Sequence, residues 1–201
     1  DMTDGFSMEE WAKVIDVAKK HDLMLFEDRK FADIGRVTET QMAGMYDIRS
    51  WADLVTSHSV SGPDIVDGIA SAWDSVQRVG GVLLLAQMSS RGNLLDASYT
   101  DRTMEIGTSS PHVIGYIGNG SNPNEVSELR EKAGDGKMIW TPGVNLSDNE
   151  GALGQRYGHP SDAIKAGSDA VIVGSGIHGA PDPVASARAY ADATWAALLS
   201  R

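Results

Sequence analysis

Short apolar runs alternate with stretches of helical periodicity along the whole chain, and this alternation sets the class of fold. Six segments have the character of buried strands, namely 23–28, 52–58, 81–90, 113–118, 137–144 and 169–175. Several are apolar at consecutive positions, which is typical of parallel strands covered on both faces. The pattern therefore predicts an α/β fold of six βα units.

Helical stretches fill the gaps between these runs. In the first, Ser7 can cap the helix with Glu10 three residues on. Four apolar residues of that helix form one stripe: Trp11, Val14, Ile15 and Ala18. The other helices are predicted near 34–44, 63–78, 100–108, 122–133, 160–166 and 183–199. Such units build either an open doubly wound sheet or a barrel, and the pattern alone does not decide between them.

Composition restricts the partners and the compartment. A length of 201 residues predicts one domain over 1–201. The net charge of −11 opposes binding to nucleic acid or to an anionic membrane surface, and no apolar run approaches the roughly 18 residues of a membrane span. The absence of cysteine excludes disulfides and thiolate chemistry and suits the cytoplasm, which is the predicted location.

A cluster of charges follows the first apolar run, in "LFEDRKFADIG" at 25–35. Asp28 and Lys30 are two residues apart, so a strand would point both side chains the same way. Asp33 follows on the turn into the next helix, where it could also serve as an N-cap. One interpretation is a capping and salt-bridge cluster. The other is an acid–base site in which Asp28 and Asp33 hold the Lys30 ammonium until its proton is required.

The stretch "GSGIHG" at 174–179 satisfies the glycine pattern of a dinucleotide site. It lies near the C-terminus, with no following strand to carry the acidic residue that binds the ribose. We therefore interpret it as a phosphate-binding turn in which backbone N–H groups of Gly174 to Gly176 hold an anion. The five histidines form no close ligand pair, so no metal site is predicted.

"LMLFEDRKFADIG" resembles the signature of the orotidine 5′-monophosphate decarboxylase family, Asp-x-Lys-x-x-Asp. The resemblance continues in family order through "SWADLVTSH", "LLLAQMSSRGNL", "WTPGV", "LGQRYG" and "SDAVIVGSGI". It implies a (β/α)8 TIM barrel, with about six of its eight βα units in this chain and the N-terminal strands lacking. It also implies a homodimer that converts orotidine 5′-monophosphate (OMP) to UMP and CO₂ in pyrimidine biosynthesis, with no metal or organic cofactor.

The resemblance carries roles onto individual residues. Lys30 matches the lysine that protonates C6 of the pyrimidine, and Asp28 matches the carboxylate beside the substrate carboxylate. Asp33 matches an aspartate that reaches the partner's site across the dimer interface. Ser89 matches the serine that hydrogen-bonds the pyrimidine. The 5′-phosphate is expected at four residues: Gln155, Tyr157, Gly174 and Ser175.

Three departures from the family pattern keep alternatives open. A segment with Lys-x-His-Val-Asp is absent, and Asp1 aligns with its last residue. Ser175 stands where the family has arginine, and Val37 where its signature has threonine. One alternative is the magnesium-dependent 3-keto-6-phosphogulonate decarboxylase type, which shares Asp-x-Lys-x-x-Asp. The other is a non-catalytic phosphate-binding fragment.

Overall fold

Six β-strands occur where the sequence predicts them. The computed structural model describes residues 4–147 and 154–201. Asp1, which the sequence aligned with the last residue of Lys-x-His-Val-Asp, lies outside the described residues. The strands are β1 (Phe26–Phe31), β2 (Leu54–Ser57), β3 (Gly81–Leu85), β4 (Val113–Ile117), β5 (Met138–Thr141) and β6 (Ala170–Val171). Most are shorter than predicted, and β1 begins three residues later, so Asp28 and Lys30 lie within the strand.

The predicted helices are also confirmed. They are α1 (Met8–Lys20), α2 (Gly35–Met42), α3 (Asp64–Asp74), α4 (Ala97–Ser109), α5 (Pro123–Ala133), α6 (Pro160–Lys165) and α8 (Pro183–Leu199). A short further helix, α7 (Ser175–His178), was not among the predicted ones. A 3₁₀ turn over Ile48–Ser50 had no clear signal in the sequence. No described helix is long and apolar enough to cross a membrane.

The strands are hydrogen-bonded in chain order, β1-β2-β3-β4-β5-β6. Pairing is parallel between β1 and β2, between β4 and β5, and between β5 and β6. A doubly wound sheet reverses its strand order at a switch point, whereas a barrel adds each strand beside the last. The sequential order therefore identifies six βα units of a (β/α)8 barrel, as the resemblance implies.

Helix α1 begins as predicted but buries a narrower face. The Ser7 hydroxyl accepts a hydrogen bond from the Glu10 backbone N–H at 3.2 Å. Ala18 is buried, while Val14, which the sequence placed in the apolar stripe, is 45% exposed. Positions 11, 15 and 18 stack on one line of a helix, and position 14 lies to the side of that line. The prediction for Val14 was therefore wrong.

The chain forms two compact units, Asp1–Leu83 with Ser110–Val113, and Leu84–Ser109 with Ile114–Arg201. In the first unit, α2 and α3 touch backbone to backbone, because a Cβ on Gly68 would lie 2.2 Å from the Gly35 carbonyl oxygen. The Trp73 indole is buried there and donates to the Ala52 carbonyl at 3.1 Å. One domain over 1–201 stays a prediction.

The second unit has its own apolar core. Its largest fully buried side chains include Tyr116, Leu129 and Ile139. The Tyr116 hydroxyl donates to the Met104 carbonyl at 3.3 Å, so the polar end of this buried ring is satisfied. Ser89 lies on the loop after β3, Gln155 and Tyr157 lie after β5, and Gly174 and Ser175 lie after β6.

Candidate active site

Strand β1 brings together the two charged residues that the sequence singled out. The Lys30 Nζ lies 2.6 Å from the Asp28 Oδ2, and both side chains are just over one-third exposed, at 39% and 38%. An ion pair with this much exposure contributes little to stability, about 0–1 kcal/mol. Its exposure leaves both charges accessible to a ligand, which a buried structural pair would not be.

The backbone of β1 departs from a regular strand at this pair. Lys30 has a φ of +57°, in the left-handed region that a non-glycine residue rarely adopts. The register with β2 shifts here, since Glu27 pairs with Val55 but Phe31 pairs with Ser57. The advance of four residues along β1 therefore spans an advance of only two residues along β2. The extra residues of β1 form a β-bulge. Bulges re-aim side chains, and they recur beside active sites.

A threonine on β2 joins the pair, and sequence reasoning missed it. The Thr56 hydroxyl is buried, donates to the Asp28 Oδ1 at 2.8 Å and accepts from the Lys30 backbone N–H at 2.9 Å. The Thr56 hydroxyl thus accepts a hydrogen bond from the Lys30 N–H, which in a regular strand would bond to the backbone of β2. The one available signal was its place at the end of the next strand, where functional groups of parallel sheets gather.

His58 follows directly after β2. Burial, and secondarily the nearby positive charge of Lys30, lower the pKa of His58 from its ordinary value of 6.5. The lowered pKa favours the neutral imidazole, so His58 adds no positive charge next to Lys30 at neutral pH.

The Asp33 carboxylate bonds the backbone of its own turn. This carboxylate is exposed and accepts from the Ile34 N–H at 2.8 Å, and in the described parts of the chain Lys30 pairs with Asp28 and not with Asp33. Helix α2 is capped by Ile34, with no side-chain cap. The capping alternative for Asp33 is therefore wrong. A clamp on Lys30 by both aspartates does not form within one chain.

The loop that carries Asp33 is nevertheless held in place. Its backbone carbonyl accepts hydrogen bonds from the Ser61 hydroxyl at 2.8 Å and from the Thr38 hydroxyl at 3.2 Å. Thr38 is fully buried. The turn is thus fixed by its backbone while the carboxylate projects into solvent.

In the second compact unit, Ser89 and Gln155 are in contact, although 66 positions separate them. The Gln155 Nε2 donates to the Ser89 hydroxyl at 3.0 Å and to the Arg156 carbonyl at 2.8 Å. The Arg156 Nε donates to the Ser89 carbonyl at 3.0 Å. Gly143 approaches so closely that a Cβ there would lie 2.6 Å from the Ser89 Cβ, and its φ of +76° also favours glycine. These contacts join the "MSSRG", "TPG" and "GQRYG" stretches.

The remaining predicted phosphate residues lie on the same unit. Tyr157 follows Gln155 and is half-buried. Gly174 is the N-cap of α7, and Ser175 is the first residue of that helix. A dinucleotide site ends its next strand about 20 residues after the glycines, and those positions lie in helix α8 here. The dinucleotide interpretation of "GSGIHG" is rejected.

The described residues hold no group of three or more histidine, aspartate or glutamate side chains arranged to bind a metal ion. The arrangement provides a lysine ammonium paired to one carboxylate on the first unit. It provides amide, hydroxyl and backbone N–H donors on the second.

The sequence profile of the "Orotidine 5′-phosphate decarboxylase / HUMPS family" matches residues 2–190. The chain belongs to this family. An orotidine 5′-phosphate decarboxylase of Pichia kudriavzevii is 41% identical over 190 residues, which cover 92% of this chain and 70% of that protein. One from Maudiozyma exigua is 41% identical over 206 aligned positions, covering 100% of this chain and 75% of the relative. The family assignment made from the sequence is confirmed.

Solved structures agree with the fold. The orotidine 5′-phosphate decarboxylase of Pyrococcus horikoshii OT3 has a TM-score of 0.69 at 27% identity, covering 90% of this chain and 78% of that one. The Sulfolobus solfataricus enzyme has a TM-score of 0.71 at 21% identity, with 93% and 81% covered. The α/β barrel class predicted for this chain is therefore confirmed.

Proposed function

We propose that this protein is a carboxy-lyase that converts OMP to UMP and CO₂ in pyrimidine biosynthesis. The observation that carries the proposal is the accessible Lys30–Asp28 pair, 2.6 Å apart, at the first two charged positions of the family's Asp-x-Lys-x-x-Asp. Membership of the family supports it, as do the names of relatives at about 40% identity.

Lys30 acts as the proton donor. The bond between C6 and the carboxylate carbon breaks, CO₂ leaves, and the electron pair stays on C6. The Lys30 ammonium transfers its proton to C6, and the neutral amine later regains a proton from water. A cation fixed beside C6 stabilises the negative charge that develops there without reorganising during the step. No metal or organic cofactor takes part in this chemistry.

The aspartates have separate roles. Asp28 holds the Lys30 ammonium through its Oδ2 and lies beside the substrate carboxylate. Asp33 projects from its own chain and reaches the site of a second copy in a homodimer. This assignment is consistent with the lack of an ion pair between Asp33 and the Lys30 of its own chain among the described residues, because a carboxylate that served its own lysine would be expected to pair with it.

The protein also binds the substrate at its pyrimidine ring and at its 5′-phosphate. Ser89 hydrogen-bonds the pyrimidine, and its contact with Gln155 links the ring site to the phosphate site. Gln155 and Tyr157 bind the 5′-phosphate, together with the turn at Gly174 and Ser175. Binding energy from a remote phosphate can be used to orient the reacting carbon. These local donors are needed because a net charge of −11 repels an anionic nucleotide at long range.

Two differences from the family pattern, at positions 175 and 37, affect how strongly the substrate is bound. Ser175 offers a hydroxyl where a guanidinium would give a charged, bidentate contact with phosphate. Val37, on α2, offers no hydroxyl at all. Binding of UMP without any turnover would favour the alternative of a non-catalytic phosphate-binding protein. We place the enzyme in the cytoplasm, with no nucleic-acid or membrane partner.

Removal of divalent metal tests the proposal. We expect CO₂ release from OMP to change by less than about twofold when a chelator is added, because the proton donor and the phosphate donors are side chains and backbone groups. The measurement is the decrease in pyrimidine absorbance with and without chelator. Loss of activity that magnesium restores would instead favour the 3-keto-6-phosphogulonate type of decarboxylase.

A further inference from the structure

We propose that Thr56 is a positioning residue for the decarboxylation, holding Asp28 and Lys30 in register through one buried hydroxyl. This inference rests on the proposed function, in which Lys30 and Asp28 act on the substrate. Thr56 itself is fully buried, so it acts through its two neighbours and not on the nucleotide.

The direction of both hydrogen bonds at Thr56 is fixed by chemistry. The Lys30 backbone N–H can only donate, so the Thr56 oxygen accepts at 2.9 Å. The hydroxyl proton is then free to point to the Asp28 Oδ1 at 2.8 Å, and an ionised carboxylate can only accept. The hydroxyl therefore has one arrangement that satisfies both partners.

The contacts form a closed ring. Thr56 holds the Asp28 Oδ1, and the Lys30 ammonium holds the Oδ2 at 2.6 Å. With both oxygens engaged, the carboxylate cannot rotate without losing a charge-assisted hydrogen bond. The Lys30 backbone closes the ring through its N–H. The hydroxyl thus fixes the carboxylate plane and the left-handed bulge from which the ammonium projects.

The neighbouring hydroxyl shows what a purely structural role looks like. Ser57 is also fully buried at the end of β2, but its hydroxyl is within 3.2 Å of the Phe31 carbonyl and 3.0 Å of the His58 carbonyl. Both contacts are to backbone. Of these two adjacent hydroxyls, only that of Thr56 binds a charged side chain of the site.

Thr56→Val tests the proposal because it keeps the shape and removes the hydroxyl. We expect kcat for OMP to fall by about 100-fold, since a displacement of about 1 Å in a reacting group can cost that much. The dissociation constant of UMP should change by less than about threefold, because binding does not need the aligned proton donor. Thr56→Ser keeps the hydroxyl and should restore kcat to within about threefold of the parent.

Thr194→Val is the matched control. Thr194 is half-buried on α8, and its hydroxyl donates to the Tyr190 carbonyl at 2.8 Å, within the other compact unit. The kcat of this variant should stay within about threefold of the parent, because the Thr194 hydroxyl bonds no group of the site. Should Thr56→Val not fold, Thr56→Ala removes the same hydroxyl from a smaller side chain.

Crystal structures of the parent and Thr56→Val separate this inference from the proposed function. We expect the Lys30 Nζ to lie within about 3 Å of Asp28 in the parent and beyond about 4 Å in the variant, which is past ion-pair range. An inactive parent would refute the decarboxylase, and these distances would then decide the role of Thr56. An intact pair in Thr56→Val, or a Thr56→Ser enzyme as slow as Thr56→Val, would overturn the inference.

Discussion

Lys30→Met is expected to lower kcat for OMP by at least about 10⁴-fold, because it removes both the proton donor and the fixed cation beside C6. The dissociation constant of UMP should change by less than about fivefold, since these contributions act mainly in the transition state. Steady-state decarboxylation and calorimetric titration with UMP measure the two quantities. Methionine keeps most of the length and the apolar stem of lysine, so the first unit should stay folded.

Lys13→Met is the control for this variant. Lys13 forms an ion pair with Glu10 at 2.6 Å, the same distance as in the Lys30–Asp28 pair, but on the exposed surface of α1. Its kcat should stay within about twofold of the parent, because exposed pairs contribute little. If both lysine variants kept the parent's kcat, Lys30 would not be the proton donor.

Mixing two inactive variants tests the role of Asp33. Asp33→Ala should be inactive alone, because the partner's site then lacks its second carboxylate. When it is refolded or co-expressed with Lys30→Met in equal amounts, activity should return to about one quarter of the parent, since half of the dimers are hybrids and each hybrid has one intact site. The measurement is kcat per chain before and after mixing.

The control for this experiment is a mixture of Lys30→Met with Asp28→Ala. Asp28 contacts the Lys30 of its own chain, so each site of a hybrid of these two lacks either Lys30 or Asp28, and this mixture should stay inactive. A mixture of Lys30→Met with a Lys30→Met, Asp33→Ala double variant should stay inactive, because every site in it lacks Lys30. If the mixture of Asp33→Ala with Lys30→Met stays as inactive as these controls although hybrid dimers have formed, Asp33 serves its own chain's site.

The sequence predicted the elements well, because the βα alternation is a local signal. Each strand and each long helix could be located from runs of apolar residues and from caps such as Ser7. The sequence assigned Val14 to the buried stripe of α1, but Val14 is exposed. Helical periodicity shows which residues share a face of the helix, but not how much of that face the rest of the protein covers. Packing between elements sets that extent.

The site was predictable where it is local in sequence. Asp28 and Lys30 lie two apart, and their contact follows from the strand, although the bulge with its left-handed Lys30 was not foreseen. Thr56 was missed because its role depends on the register between two strands, 26 positions apart. No pattern within one segment encodes that register.

The family resemblance alone singled out Ser89 and Gln155, each for a separate part of the substrate, and their hydrogen-bond contact was not predicted. A separation of 66 positions leaves no periodicity that could link them. Asp33 had two local interpretations, cap or clamp, and the structure supports neither within one chain. In the proposed function its role depends on a second copy, and a pattern within one chain does not specify contacts between copies.

The central claim is that the Lys30 ammonium delivers the proton to C6, and a crystal structure of the protein with UMP tests it most directly. The account predicts the Lys30 Nζ within about 3.5 Å of C6, the separation of a reactive contact, with Asp28 still paired to it. A nucleotide bound elsewhere, with Lys30 surrounded by water, would contradict the account.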